Sequence, residues 1–157
     1  KATQAIAAYV DNEMVGLLLA EIYGEPKLKQ TFGQKAYLKI FNILRTFSKN
    51  SGLDTYEATN KELLRSYKSD ASPEGEILYL AADPEKKIKG VGTALINELT
   101  AREAGKEIFL FTDTGCTYQF YEHKGFQRAG ARDIQLDFGQ NRIDLTAMLF
   151  SKKLAQQ

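Results

Sequence analysis

A chain of 157 residues, 43% apolar and 26% charged, is long enough for one domain that buries roughly two thirds of the surface its unfolded form would expose. With 21 basic and 20 acidic side chains the net charge is +1, so no overall field points to nucleic acid or to an anionic membrane. The one cysteine, Cys116, excludes an internal disulfide, and with the one histidine, His123, it leaves too few ligands for an ordinary zinc site, so no metal is expected. No apolar run approaches the eighteen or so residues that span a bilayer, and the opening residues lack a signal-peptide pattern. A soluble cytoplasmic protein is expected. The chain opens on Lys1, almost at its first strand, so N-terminal residues are expected to be missing.

"QAIAAYV" (Gln4 to Val10) and "MVGLLLAEIYG" (Met14 to Gly24) flank a short polar turn and predict a β-hairpin. From Phe32 to Phe47, Tyr37, Ile40, Phe41, Leu44 and Phe47 recur at helical spacing and predict an amphipathic helix. Gly52 reads as its stop or as the following loop. The stretch from Thr59 to Glu62 reads as the cap of a second helix carrying Leu63, Leu64 and Tyr67. "ILYLAA" (Ile77 to Ala82) is an unbroken apolar run after a Pro-Glu-Gly turn, which predicts a central strand covered on both faces. Val91, Leu95 and Leu99 then mark a helix ending near Gly105. "EIFLFT" (Glu107 to Thr112) predicts a second buried strand, and a short helix lies between Thr114 and Gly125. Phe126 to Phe138 and Ile143 to Leu154, joined at Gly139-Gln140-Asn141, predict an antiparallel pair. The order defines a mixed α/β domain over residues 1–157, with residues 25–75 as a helical insertion.

The stretch "DPEKKIKGVGTAL" (Asp83 to Leu95) places Lys86, Lys87 and Lys89 beside Gly90-Val91-Gly92 at a strand-to-helix junction. Glycines admit close backbone approach, and the first N–H groups of a helix are unpaired at its positive end, so this is a sensible anion site. A solvated surface turn accounts for the same spacing. A Walker A loop is excluded because Thr93 follows Gly92 with no lysine between. A dinucleotide fingerprint would take Asp113 as its ribose-binding acid, but Leu95 stands where the third glycine belongs.

"LAADPEKKIKGVGTALI" followed by "YQFYEHKGF" resembles the GNAT superfamily of acetyl-CoA-dependent N-acetyltransferases. The resemblance rests on Lys87-Ile88-Lys89-Gly90-Val91-Gly92, similar to that family's Gln/Arg-x-x-Gly-x-Gly/Ala, and on Tyr121-Glu122-His123-Lys124-Gly125-Phe126 about thirty residues later. It covers Ile77 to about Leu154. It implies a GNAT-like, mostly antiparallel mixed sheet flanked by helices, with a helical insertion before the central cofactor-binding strand, and acetyl-CoA as the cofactor. By the same resemblance Leu80, Ala81 and Ala82 would pair with the pantetheine arm. The amides of Lys87, Ile88, Lys89, Gly90, Val91, Gly92 and Thr93 would hold the pyrophosphate. Lys87 keeps the charge of the family's Gln/Arg position but loses a planar fork. The family carries a strand and two helices ahead of the hairpin; here they are either absent or replaced by the insertion.

Acetyl transfer to an amine needs one base and one acid. The resemblance makes Tyr121 the general acid at the thioester sulfur, with Tyr118, one turn earlier, as its nearest competitor and as an expected cofactor contact. Glu76, fourteen residues before Gly90, is the candidate general base, with ordered water as the alternative. Thr114 stands where the family has Asn at a pantetheine contact. Cys116, at a helix start, could have a lowered pKa but reads as a small packing residue. His123 reads as a solvated helix end. The function implied is transfer of acetyl from acetyl-CoA to a primary amine of a small molecule or peptide. A non-catalytic acyl-CoA-binding module and a dinucleotide binder are the alternatives. No nucleic-acid or membrane partner is implied, and a homodimer is compatible with the sequence.

Overall fold

The computed structural model describes residues 1–29 and 52–156. Its elements are β1 (Gln4–Val10), β2 (Glu13–Ile22), α1 (Gly52–Asp70), β3 (Gly75–Ala82), α2 (Val91–Arg102), β4 (Glu107–Asp113), α3 (Gln119–His123), β5 (Gln127–Phe138) and β6 (Asn141–Lys153). The six strands form one sheet in the order β1-β2-β3-β4-β6-β5. Every neighbouring pair is antiparallel except β3 with β4. A parallel pair needs a crossover, and α2 supplies it.

The expected hairpin is β1 and β2. Asp11 and Asn12 both take left-handed φ, 50° and 65°, as a two-residue turn matching the right-handed twist of its strands requires. The two sheet faces bury separate clusters. On one, Leu95, Ile96 and Leu99 of α2 lie over Leu18, Ile77, Ile108, Leu110, Met148 and Phe150. On the other, Leu63 and Tyr67 of α1 lie over Phe109, Ile134, Leu136, Ala147 and Leu149. Strand alternation sorts β4 and β6 between the two clusters. Their sequences read as continuous apolar runs because both faces are covered. Gly16 allows α2 to sit close on β2, since a Cβ there would run into Val91 and Leu95.

Two expectations change. The helix predicted over Phe32 to Phe47 falls outside the described residues, but the second helix begins at Gly52, not at Thr59. Thr59 is buried inside it and its hydroxyl donates to the Thr55 carbonyl at 2.8 Å. A threonine satisfied by the carbonyl four residues back carries no terminus signal, so the cap reading fails. The run Ile77 to Ala82 is not covered on both faces throughout. Ile77 is buried, Leu78 to Ala81 are half-buried and Ala82 is exposed. The cause is the geometry of the β3–β4 seam.

Candidate active site

β3 and β4 are in register only at Gly75 with Ile108 and Glu76 with Phe109. Directly after this, β3 carries an extra residue. Leu19 of β2 faces Tyr79 and Ala20 faces Ile77, which leaves Leu78 without an opposite number. Such a bulge bends its strand. From there β3 stays with β2 and β4 stays with β6, and the seam between them opens.

The backbone of the open edge can be oriented. Asp83 donates its N–H to the Val15 carbonyl at 2.8 Å, on the β2 side. Along an antiparallel strand alternate residues turn to the same neighbour, so Ala81 and Tyr79 also face β2. Leu80 and Ala82 therefore turn their N–H and C=O into the gap. Of the three residues expected to meet a pantetheine arm, Leu80 and Ala82 turn backbone into the gap and Ala81 does not.

The gap leads into the glycine loop. Asp83 Oδ1 accepts the Glu85 N–H at 3.0 Å and closes the first turn. Lys87 and Gly90 then take left-handed φ, 49° and 82°. Gly90 caps α2 without a side-chain hydrogen bond, and the Ala94 N–H to Gly90 carbonyl bond, at 2.9 Å, opens the helical ladder. The N–H groups of Val91, Gly92 and Thr93 precede that bond and have no helical acceptor. Of the three lysines, Lys86 is paired with Glu13. Lys87 and Lys89 are exposed and make no ion pair with a described residue. Phe120 covers the loop's far side, 3.0 Å from where a Cβ on Gly92 would stand, and so ties α3 to the start of α2.

Tyr121 sits in an aromatic nest. Its ring centroid is 5.3 Å from Phe120, 5.9 Å from Phe126 and 6.4 Å from Phe150. Burial, with a smaller contribution from Cys116, pushes its phenol up to about 12. Around neutral pH it remains a proton donor. Tyr118, half-buried, packs on the same cluster with the Arg128 guanidinium 5.9 Å from its ring. Thr114 extends the β4–β6 ladder by one residue. Its N–H donates to the Thr146 carbonyl at 3.1 Å and its hydroxyl oxygen accepts the Thr146 N–H at 3.0 Å.

Cys116 is corrected on both counts. It is exposed rather than packed, and its thiol is pushed up, not down, by partial desolvation and the Asp113 carboxylate. α3 begins three residues later, at Gln119, so the cysteine is not at the helix terminus. His123 is exposed, as expected.

Glu76 is 8% exposed, with Lys1 Nζ 3.1 Å from its Oε2 and 3.7 Å from Glu21. Burial raises its pKa although Lys1 opposes the shift. Its neighbour Ile77 belongs to the α2 face, so Glu76 points to the α1 face, where Lys68 of α1 is among its surrounding charges. Tyr121 packs on the α2 and α3 face. The predicted acid and base are therefore on opposite faces of the sheet, and Glu76 stands at the last paired position before the seam opens.

One pair escaped the sequence reading. The Tyr56 hydroxyl on α1 donates to Asp113 Oδ2 at 2.8 Å, and Asp113 Oδ1 accepts the Gly115 N–H at 2.7 Å. Tyr56 stands seven residues before Leu63. Extending that helical face backward would have placed Tyr56 on α1, though not its partner.

Among the described residues no group of three or more His, Cys, Asp or Glu could hold a metal, and no helix is long and apolar enough to cross a membrane. No protein-family model matches the chain, and no curated protein matches it significantly. Solved structures do. The chain superposes on smu.2055 from Streptococcus mutans with a TM-score of 0.56 and 14% identity, covering 98% of this chain and 71% of that one. On the ribosomal-protein-S18-alanine N-acetyltransferase from Escherichia coli it scores 0.53 at 13% identity, covering 98% and 70%. On a GNAT superfamily phosphinothricin acetyltransferase from Sinorhizobium meliloti, solved with acetyl-CoA, it scores 0.51 at 13% identity, covering 96% and 60%. The chain has the fold of the GNAT acetyltransferases. The mostly antiparallel mixed sheet flanked by helices is the one the sequence resemblance implied.

Proposed function

We propose that this chain is a GNAT-type N-acetyltransferase that moves the acetyl group of acetyl-CoA to a primary amine by direct attack. The observation that carries this reading is the opened β3–β4 seam, whose free backbone at Leu80 and Ala82 runs into the unpaired amides of Val91, Gly92 and Thr93. An extended arm bearing amides suits the first, and a pyrophosphate suits the second together with Lys87 and Lys89. The phosphinothricin acetyltransferase of the same fold was solved with acetyl-CoA.

When bound, acetyl-CoA supplies an activated thioester. Tyr121 holds a proton on its phenol oxygen for the departing sulfur. Glu76, entered from the α1 face, takes the proton that the attacking amine gives up. A carboxylate desolvated in this way is a better base than a solvated one.

CoA is expected to raise the melting temperature, and NAD to leave it unchanged; stabilisation by NAD alone would refute the reading. With acetyl-CoA and a panel of amines, thiol release should follow. Stabilisation by CoA with no amine acetylated would make the chain a binding module.

Glu76→Gln gives a separate check. A base must be deprotonated, so native activity falls as pH drops through the raised Glu76 pKa. In the glutamine variant kcat should fall about a hundredfold, and that acidic limb should vanish. If the limb persists unchanged, water serves as the base.

A further inference from the structure

We propose that Asp113, held by Tyr56, binds a second cationic group of the acceptor amine; this rests on the transferase reading above and names the class of substrate. Asp113 closes β4 at the open end of the seam. Phe109 and Phe111 alternate toward α1, and Asp113 continues that parity, as its hydrogen bond from Tyr56 shows. Its carboxylate is thus on the α1 face, the side from which an amine would reach Glu76. α1 packs over β5 and β6 and reaches β4, one side of the opening, through Tyr56 at Asp113 and Tyr67 at Phe109.

The carboxylate is fixed but not neutralised. Tyr56 and the Gly115 N–H each hold one oxygen, the Cys116 thiol lies beside the carboxylate as a third, weak donor, and no described cation pairs with it. A carboxylate has about four acceptor positions, so room remains for an ammonium. Tyr56 stays a donor, because burial and the Asp113 charge push its phenol well above the ordinary range.

This group does not suit the reacting nitrogen itself. A carboxylate beside an ammonium favours its charged form, and a charged nitrogen has no lone pair for attack. A charge several bonds away from the reacting amine meets no such conflict. The arrangement fits an acceptor such as a diamine: one end is deprotonated near Glu76 and the other stays charged at Asp113. The partner surface is a single fixed carboxylate beside a tyrosine ring, which an uncharged tail could not exploit.

The experiment compares 1,5-diaminopentane with pentylamine as acceptors. The native chain should favour the diamine in kcat/KM. Asp113→Asn should raise KM for the diamine about tenfold or more, and leave KM for pentylamine and for acetyl-CoA near their native values. Asp113→Glu should recover part of the loss, and Tyr56→Phe, which spares the carboxylate, should give a smaller rise in the same constant. Equal losses for both amines in Asp113→Asn, or no native preference between them, overturns the proposal. If CoA stabilises the chain but neither amine is acetylated, the transferase reading fails and melting decides this one. A diamine that further stabilises the native CoA complex, and not that of Asp113→Asn, supports the site; no stabilisation overturns it.

Discussion

Tyr121→Phe is expected to lower kcat for acetyl transfer by about a hundredfold or more, with KM for acetyl-CoA little changed. The substitution removes one oxygen and keeps the ring, so the stacking on Phe120, Phe126 and Phe150 survives. What is lost is a proton held at a phenol whose pKa is near 12. That value is high enough for the group to stay protonated under assay conditions. A thiolate released without a proton is a poorer leaving group, and general acid assistance is typically worth 10²–10⁴. Steady-state thiol release in native and variant protein measures the effect directly, and melting with CoA shows whether the donor site is intact. Native turnover in the variant would remove Tyr121 from the chemistry and leave it as a packing residue.

Phe150→Ala is expected to have the largest effect on stability. Phe150 is 0% exposed in the C-terminal half of β6, in the cluster beneath α2, and it also touches the Tyr121 ring. A large buried aromatic cut to a methyl leaves a cavity that a sheet cannot collapse around. The usual cost is about 3–5 kcal/mol. For a chain of this size that lowers the melting temperature on the order of 10 °C. Thermal or urea unfolding reads it. A fall of only a degree or two would mean that this core is loosely packed, contrary to the full burial of Phe150 in the cluster beneath α2.

Much of the fold was legible because its physics is local. Continuous apolar strands, a four-residue repeat in α2, and glycine and Asx turns each announce themselves within ten residues. Helix starts were less legible. Thr59 has the composition of a cap, and only the position of its acceptor, Thr55, shows it to be interior. The site was half readable. Gly90 and Tyr121 stood out as motif residues, but the opening of β3 from β4 depends on Leu78 being supernumerary, and a strand sequence does not record which residue lacks a partner. The link between Tyr56 and Asp113 spans 57 positions and has no sequence signature. Cys116 shows the converse, where nearness to a helix suggested a lowered pKa that partial desolvation and the Asp113 carboxylate reverse.

The bulge at Leu78 has an evolutionary corollary. Where a strand is pried from its neighbour, the surface offered is main chain, and main chain is the same in every residue but proline. Selection on such a surface acts on geometry and leaves side chains free to drift. Along that strand, low identity is no obstacle to a shared site: the chain shares 13–14% of its residues with the structures on which it superposes and keeps their fold.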